Sequence, residues 1–205
     1  MPQPRSGLTG MIVVSVSWVA LLSLGCSSVT TVHPLPWRIE PADQGRFEGT
    51  WLVGDDSFQI RVTDSGVARF AGLDWEDDRF RLEQGEMTIC RGKHLGFLSV
   101  RTQEDGEWMN HYYLVQFKFT DPGELVLWLP EADAFAQAIA QNRIEGVVDG
   151  EGAGTDVTIT GPPEALLELI DDPDDLELFD YRNPLVLRRV TVWEPPPRQA
   201  APNTE

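Results

Sequence analysis

The sequence is short of the residues from which disulfide scaffolds, nucleic-acid binders and membrane-spanning proteins are built. Its 205 residues include two cysteines, Cys26 and Cys90, and three histidines, so no disulfide framework can be assembled from them. Basic residues are outnumbered, 16 Lys and Arg against 33 Asp and Glu, for a formal charge of −17. A body of that sign is a poor partner for nucleic acid or an anionic lipid surface, and its ordinary use is solubility. No apolar run is long enough to span a bilayer. The longest, of about fourteen residues, would rise only about 21 Å as a helix against a hydrocarbon core of roughly 30 Å. No G-x-S-x-G elbow occurs, and no internal repeat is evident.

The stretch from Met11 to Ser28, which contains that short apolar run, is the most informative present. Arg5 precedes it and small residues close it, which is the pattern of a secretory signal peptide. Ser23-Leu24-Gly25-Cys26 resembles the lipobox of bacterial lipoprotein precursors, although Ser23 stands where leucine is usual. The resemblance implies removal of residues 1–25 by cleavage between Gly25 and Cys26. It further implies lipid attachment at Cys26, palmitate included, and, with Ser27 following, residence at the outer membrane facing the periplasm. Each buried methylene contributes about 0.8 kcal/mol and one chain binds only reversibly, so two or three chains make a durable anchor. Loss of the signal peptide removes Arg5 and moves the charge from −17 to −18. Lipidation would consume Cys26 and leave Cys90 alone. Its strand-like setting, Thr88-Ile89-Cys90, predicts a buried, inert thiol.

Residues 26–44 follow neither period and contain Pro34, Pro36 and Pro41, so they read as the lipidated cysteine and a flexible tether. His33 falls in it and is assigned no chemistry. Residues 45–194 form a single β-rich domain, and 195–205 a disordered, proline-rich tail. Alternation over Phe47 to Val53 and Phe58 to Val62 predicts two half-buried strands, and Thr63 to Gly66 a turn into Val67–Ala71. Short strands are expected at Arg79–Leu82 and Glu86–Arg91, with an acidic loop, Asp74, Glu76, Asp77 and Asp78, before them. Asp105-Gly106 signals a two-residue turn in a hairpin from His94 to Thr120. A type I′ turn there pairs Val100 with His111, Leu98 with Tyr113, Gly96 with Val115 and His94 with Phe117 on an apolar face. The opposite face, with Phe97, Ser99, Leu114 and Gln116, is mixed and partly covered. Glu124–Leu129 is another strand. A helix opening at Pro130 carries the stripe Ala132, Phe135, Ala136, Ile139 and Ala140. Strands at Arg143–Val148 and Asp156–Thr160, a helix at Pro163–Ile170 and a strand at Leu185–Trp193 complete the order.

Many strands interrupted by two short helices predict a mainly β, α+β fold: an antiparallel sheet curled into a barrel or half-barrel, with the helices covering it. Phe47-Glu48-Gly49-Thr50-Trp51 resembles the first strand of lipocalins and related calycins, in which a G-x-W tryptophan closes the barrel base. That resemblance implies a basic residue of the last strand over Trp51, here Arg188 or Arg189.

Chemistry has few footholds. His94 and His111 share a face of the expected hairpin about six residues apart, roughly 20 Å, too far for one metal or dyad. His111 beside Tyr113 is either a pocket base or a hydrogen-bonded core histidine. No cofactor is called for. Residues 171–180 offer hard oxygen ligands for calcium, but not at EF-hand spacing, and Pro173 interrupts them. Trp51, Trp75, Trp108 and Trp128 suit core packing or a ligand surface. Two functions follow. The first is a non-enzymatic, membrane-anchored module binding a small apolar ligand, in a pocket lined by Leu98, His111, Tyr113 and Val115, or an envelope protein. The second is a periplasm-facing hydrolase using His111 or acidic residues such as Asp74 and Asp78.

Overall fold

The alternation that begins at Phe47 continues through eight strands, which close on one another. The computed structural model describes residues 27–54, 56–63, 65–76, 79–104, 106–121, 123–172 and 177–190. Gly25, Cys26, Asp78 and the 195–205 tail lie outside the described residues, as does Trp193. The chain begins with β1 (Ser28–Thr31) and α1 (Pro41–Phe47), then β2 (Gly49–Val53), β3 (Asp56–Val62), β4 (Ala68–Glu76), β5 (Arg79–Arg91) and β6 (Gly96–Glu104). It continues through β7 (Glu107–Trp108), β8 (Tyr112–Asp121), β9 (Glu124–Trp128), α2 (Ala132–Ala140), β10 (Gly146–Asp149) and a 3₁₀ turn at Gly152–Gly154. The last elements are β11 (Asp156–Ile159), α3 (Pro163–Ile170) and β12 (Leu185–Arg189).

Strands β2, β3, β4, β5, β6, β8, β9 and β12 form a closed antiparallel barrel in chain order, with β12 returning to β2 and β6 joined to β8. Closure satisfies the edges that an open sheet would leave unpaired. The inward residues of each strand make one core: Trp51, Phe58, Ile60, Phe70, Met87, Ile89, Leu98, Val100, Val115, Phe117, Leu125, Leu127 and Leu187. Phe47 enters from α1, its ring edge-on to Phe117 and Phe119 at 5.1 and 4.9 Å.

A second core lies outside the barrel wall. Strands β10, β11 and β1 extend the sheet from β8, with β1 parallel to β11 and antiparallel to β8. Phe97, Leu114 and Cys90, on the outward face of the wall, meet Phe135 of α2, Leu166 and Ile170 of α3, and Ile159 and Phe179. Strand β6 is therefore buried on both faces over Gly96–Val100, which is why its sequence is apolar at successive positions. In α2 the buried positions are Ala132, Phe135 and Ala138, a stripe rotated slightly from the expected one, and Ala140 is exposed.

Three sequence expectations change. The tether is not a tether from residue 28 on: Val29 and Leu35 are 3% and 1% exposed, and the Leu35 N–H donates to Ser99 Oγ at 2.9 Å. Strand β1 is too short to have a readable period, and its partner β11 lies more than a hundred residues away. Pro34 and Pro36 lie outside helix and strand, and Pro41 opens α1, where its missing N–H costs nothing. The strands expected at Arg79–Leu82 and Glu86–Arg91 are one strand, β5, and the acidic loop before them is shorter because β4 runs through Glu76.

The third change is in the hairpin. Next to the turn the expected pairing holds, Glu104 with Glu107 and Gln103 with Trp108. Beyond Met109–His111 it shifts by two, pairing Val100 with Tyr113, Leu98 with Val115 and Gly96 with Phe117. A two-residue excursion preserves which residues face inward. It also sets the Trp108 and Tyr112 rings on the Arg101 guanidinium, each 5.1 Å away, while Arg101 pairs with Glu86. Cation–π contacts contribute about 0.5–1 kcal/mol each at exposed sites, set against the ladder bonds given up at the excursion.

Candidate functional site

Gly49-Thr50-Trp51 opens β2, directly after α1. Trp51 is fully buried, and its indole N–H donates to the Phe47 carbonyl at 2.7 Å. Arg189 of β12 is the register partner of Trp51. Its guanidinium lies over Gly49, where an added Cβ would come within 2.9 Å of Nε, and Gly49 has φ +125°, disfavoured for other residues. Arg189, and not Arg188, is thus the basic residue beside Trp51. Arg188 is exposed and pairs with Glu124 at 3.8 Å.

Leu98, Tyr113 and Val115 are brought together in the barrel core, but as packing: Leu98 and Val115 are 2% and 1% exposed, and Tyr113 is half-buried against the same cluster. His111 is not buried with Leu98 and Val115. It sits in the hairpin excursion, edge-on to Tyr113 at 5.5 Å, with Nδ1 3.3 Å from Asn110 Oδ1. Burial pulls its pKa below the ordinary histidine value, partly countered by Glu104. Burial also pushes the Tyr113 hydroxyl up. Asp74 lies in β4 and pairs in register with Arg81.

Three cavities bounded by described residues lie outside the barrel. One of about 220 Å³ is lined by Ser27, Ser28, Tyr113, Leu129, Pro130 and Asp180, where the chain enters from Cys26. A second of about 550 Å³ lies between the end of α2 and the start of α3. The third, of about 600 Å³, is a groove between the β5–β6 loop and α3, with Arg38, Arg91, Lys93 and His94 on one side and Glu164, Glu168 and Asp172 on the other. Asp171 holds the groove's floor. Its carboxylate accepts the backbone N–H groups of Lys93, of His94 at 3.1 Å and of Leu95 at 2.9 Å. Gly92 permits the approach, since a Cβ there would meet Asp171 at 2.3 Å. The groove thus has fixed walls of opposite sign, and its one buried carboxylate is spent on backbone. Sequence reasoning missed this contact, because its partners are more than seventy residues apart and the acidic run around Asp171 read as solvated.

Of the acidic run 171–180, Asp171 serves that loop and Asp180 a turn. Hydrogen bonds from the Asn183 side chain and from the Arg182 N–H hold the Asp180 carboxyl below its usual range. Residues 173–176 lie outside the described residues, and among the described residues no three His, Cys, Asp or Glu are grouped to hold a metal. Cys90 is buried. Desolvation pushes its thiol up to about 11, with Arg38 opposing and Asp171 adding to the shift, so it is protonated and unreactive at neutral pH. Comparison with family models, with curated proteins and with solved structures finds no match to this chain.

Proposed function

We propose that this chain is a lipid-anchored, non-enzymatic module of the bacterial cell envelope that binds a partner through the outside of its barrel. The observation that carries this reading is the filled interior. Phe47, Trp51, Phe58, Phe70 and Phe117 occupy the space in which a lipocalin-like barrel would hold an apolar ligand, and Leu98 and Val115 are packed among them. With the interior committed to packing, recognition falls to the surface. The calycin-like reading of the body is supported by the eight-strand antiparallel closure and by Arg189 beside Trp51. In the hydrolase reading, His111 would need a second group converging on it; Asn110 and Tyr113 supply packing and a hydrogen bond, so no observation favours that reading.

The anchor is Cys26, at the outer membrane and facing the periplasm. Since β1 begins at Ser28, two residues later, the acyl chains would hold the barrel directly against the leaflet and leave no long spacer. In cell fractionation the full-length chain is expected in the membrane pellet and to stay there in high salt, because acyl burial is insensitive to screening. Cys26→Ala is expected in the soluble fraction. A Cys26→Ala protein that remained in the pellet after a high-salt wash would overturn the anchor.

A further inference from the structure

We propose that the groove between the β5–β6 loop and α3 is a binding site for a short peptide with both termini free, its carboxylate on Arg38 and Lys93 and its ammonium on Glu164 and Glu168. This rests on the surface-binding reading above and gives it a site and a ligand class. The two walls of the groove do not neutralise each other. Among the described residues, Arg38 and Lys93 form no ion pair with any carboxylate, and Glu164 and Glu168 form none with any base. Arg91, also on the basic side, pairs instead with Asp43 of α1 at 3.8 Å.

Both walls are held by backbone contacts, so the separation of their backbones is set before a ligand arrives. The Arg38 N–H donates to the Ile89 carbonyl at 3.1 Å, and the Arg38 carbonyl accepts the Arg91 N–H at 2.6 Å, which lays Arg38 along β5. The Lys93 N–H donates to Asp171 at the end of α3, so loop and helix are tied across the groove floor. Preorganised walls lower the cost of ordering on binding. The acidic wall, by contrast, is poorly placed for the helix that carries it. Glu164 and Glu168 stand one turn apart as a like-charge pair, and the last turn of α3 carries no basic residue although its dipole favours a cation there. An ammonium group seated against these carboxylates relieves both.

Charge and volume select the ligand. An anion alone would face two glutamates on a chain of charge −17, and a cation alone would face Arg38 and Lys93. A ligand with one charge of each sign at opposite ends meets an opposite charge on either side. The groove, of about 600 Å³, has room for about twenty waters. That is more than a single amino acid or a lipid headgroup displaces, and it suits a peptide of about two to four residues, about 7–14 Å when extended. A guanidinium grips a carboxylate through paired N–H donors, and Leu167, between the two glutamates in sequence, adds an apolar lining residue for the chain between the ends.

The test is calorimetric titration of the full chain carrying Cys26→Ala, at low salt, with trialanine, a sufficient probe because the recognition lies in the two ends. The expected result is saturable one-to-one binding with a dissociation constant of about 0.1–1 mM, weakened about fivefold to tenfold by N-terminal acetylation and equally by C-terminal amidation. In a Glu164→Gln, Glu168→Gln double variant acetylation should no longer matter while amidation still does, and in an Arg38→Gln, Lys93→Gln double variant the reverse. All four positions are exposed, so the melting midpoint should not move, and a general disturbance of the fold would not sort the two ends. No saturable binding of trialanine, equal binding of the blocked peptides, or variants that fail to sort the ends overturns the proposal. Binding to phosphatidylethanolamine vesicles without binding of trialanine gives the groove to a headgroup and overturns it too. Each of these outcomes leaves surface binding standing, because that reading falls only if the same protein takes a fatty acid into the barrel.

Discussion

Trp51→Ala is expected to destabilise the domain by about 3–5 kcal/mol, read as a fall in the urea midpoint at unchanged slope. The residue is fully buried, its N–H bonds the Phe47 carbonyl, and its removal opens a void where α1, β2 and β12 meet. The void cannot collapse easily, because Phe47 is held edge-on by Phe117 and Phe119. Trp51→Phe restores most of the volume but leaves that carbonyl without its donor, and is expected to cost about 1–2 kcal/mol. If Trp51→Ala cost less than about 1 kcal/mol, Trp51 would not be the tightly packed core residue described.

Asp171→Ala is the second large effect, expected at about 2–4 kcal/mol. The substitution removes one acceptor group from three backbone N–H donors at once, those of Lys93, His94 and Leu95. Hydrogen bonds to a charged acceptor are the strong kind, and water from the adjacent groove replaces them incompletely. Asp171→Asn keeps one carbonyl oxygen but turns an NH₂ toward a donor, so it should fall between wild type and alanine. Hydrogen exchange at the three amides locates the loss: protection should drop there first, ahead of the barrel strands. An Asp171→Ala protein of wild-type stability would mean that this tie between loop and helix holds nothing.

These two residues mark how far the chain could be read without its fold. Trp51 was legible because a strand declares its faces locally, by alternation, and G-x-W needed only three residues. The inward face of the β6–β8 hairpin was legible for the same reason, although its partners were displaced by the Arg101 excursion, which depends on rings meeting a guanidinium across strands. Asp171 was illegible, since nothing in DDPDDLELFD distinguishes a carboxylate aimed at a backbone loop from its solvated neighbours. Strand β1 failed differently: four residues carry too little pattern, and its burial is decided by β11 and β8. The expected pocket could not be told from a core by sequence, because an apolar inward face is equally a cavity lining or a core, and it is the rings opposite it, Phe47 and Phe117 above all, that bear on the choice.

A filled barrel that works from its surface is the central claim, and titration with a long-chain fatty acid tests it most directly. Purified Cys26→Ala protein is titrated while tryptophan emission and melting midpoint are followed. The prediction is no saturable change in emission and a midpoint constant within about 1 °C. Saturable one-to-one quenching, with the midpoint raised by several degrees at a hundredfold excess over the dissociation constant, would contradict it and return the function to the barrel interior.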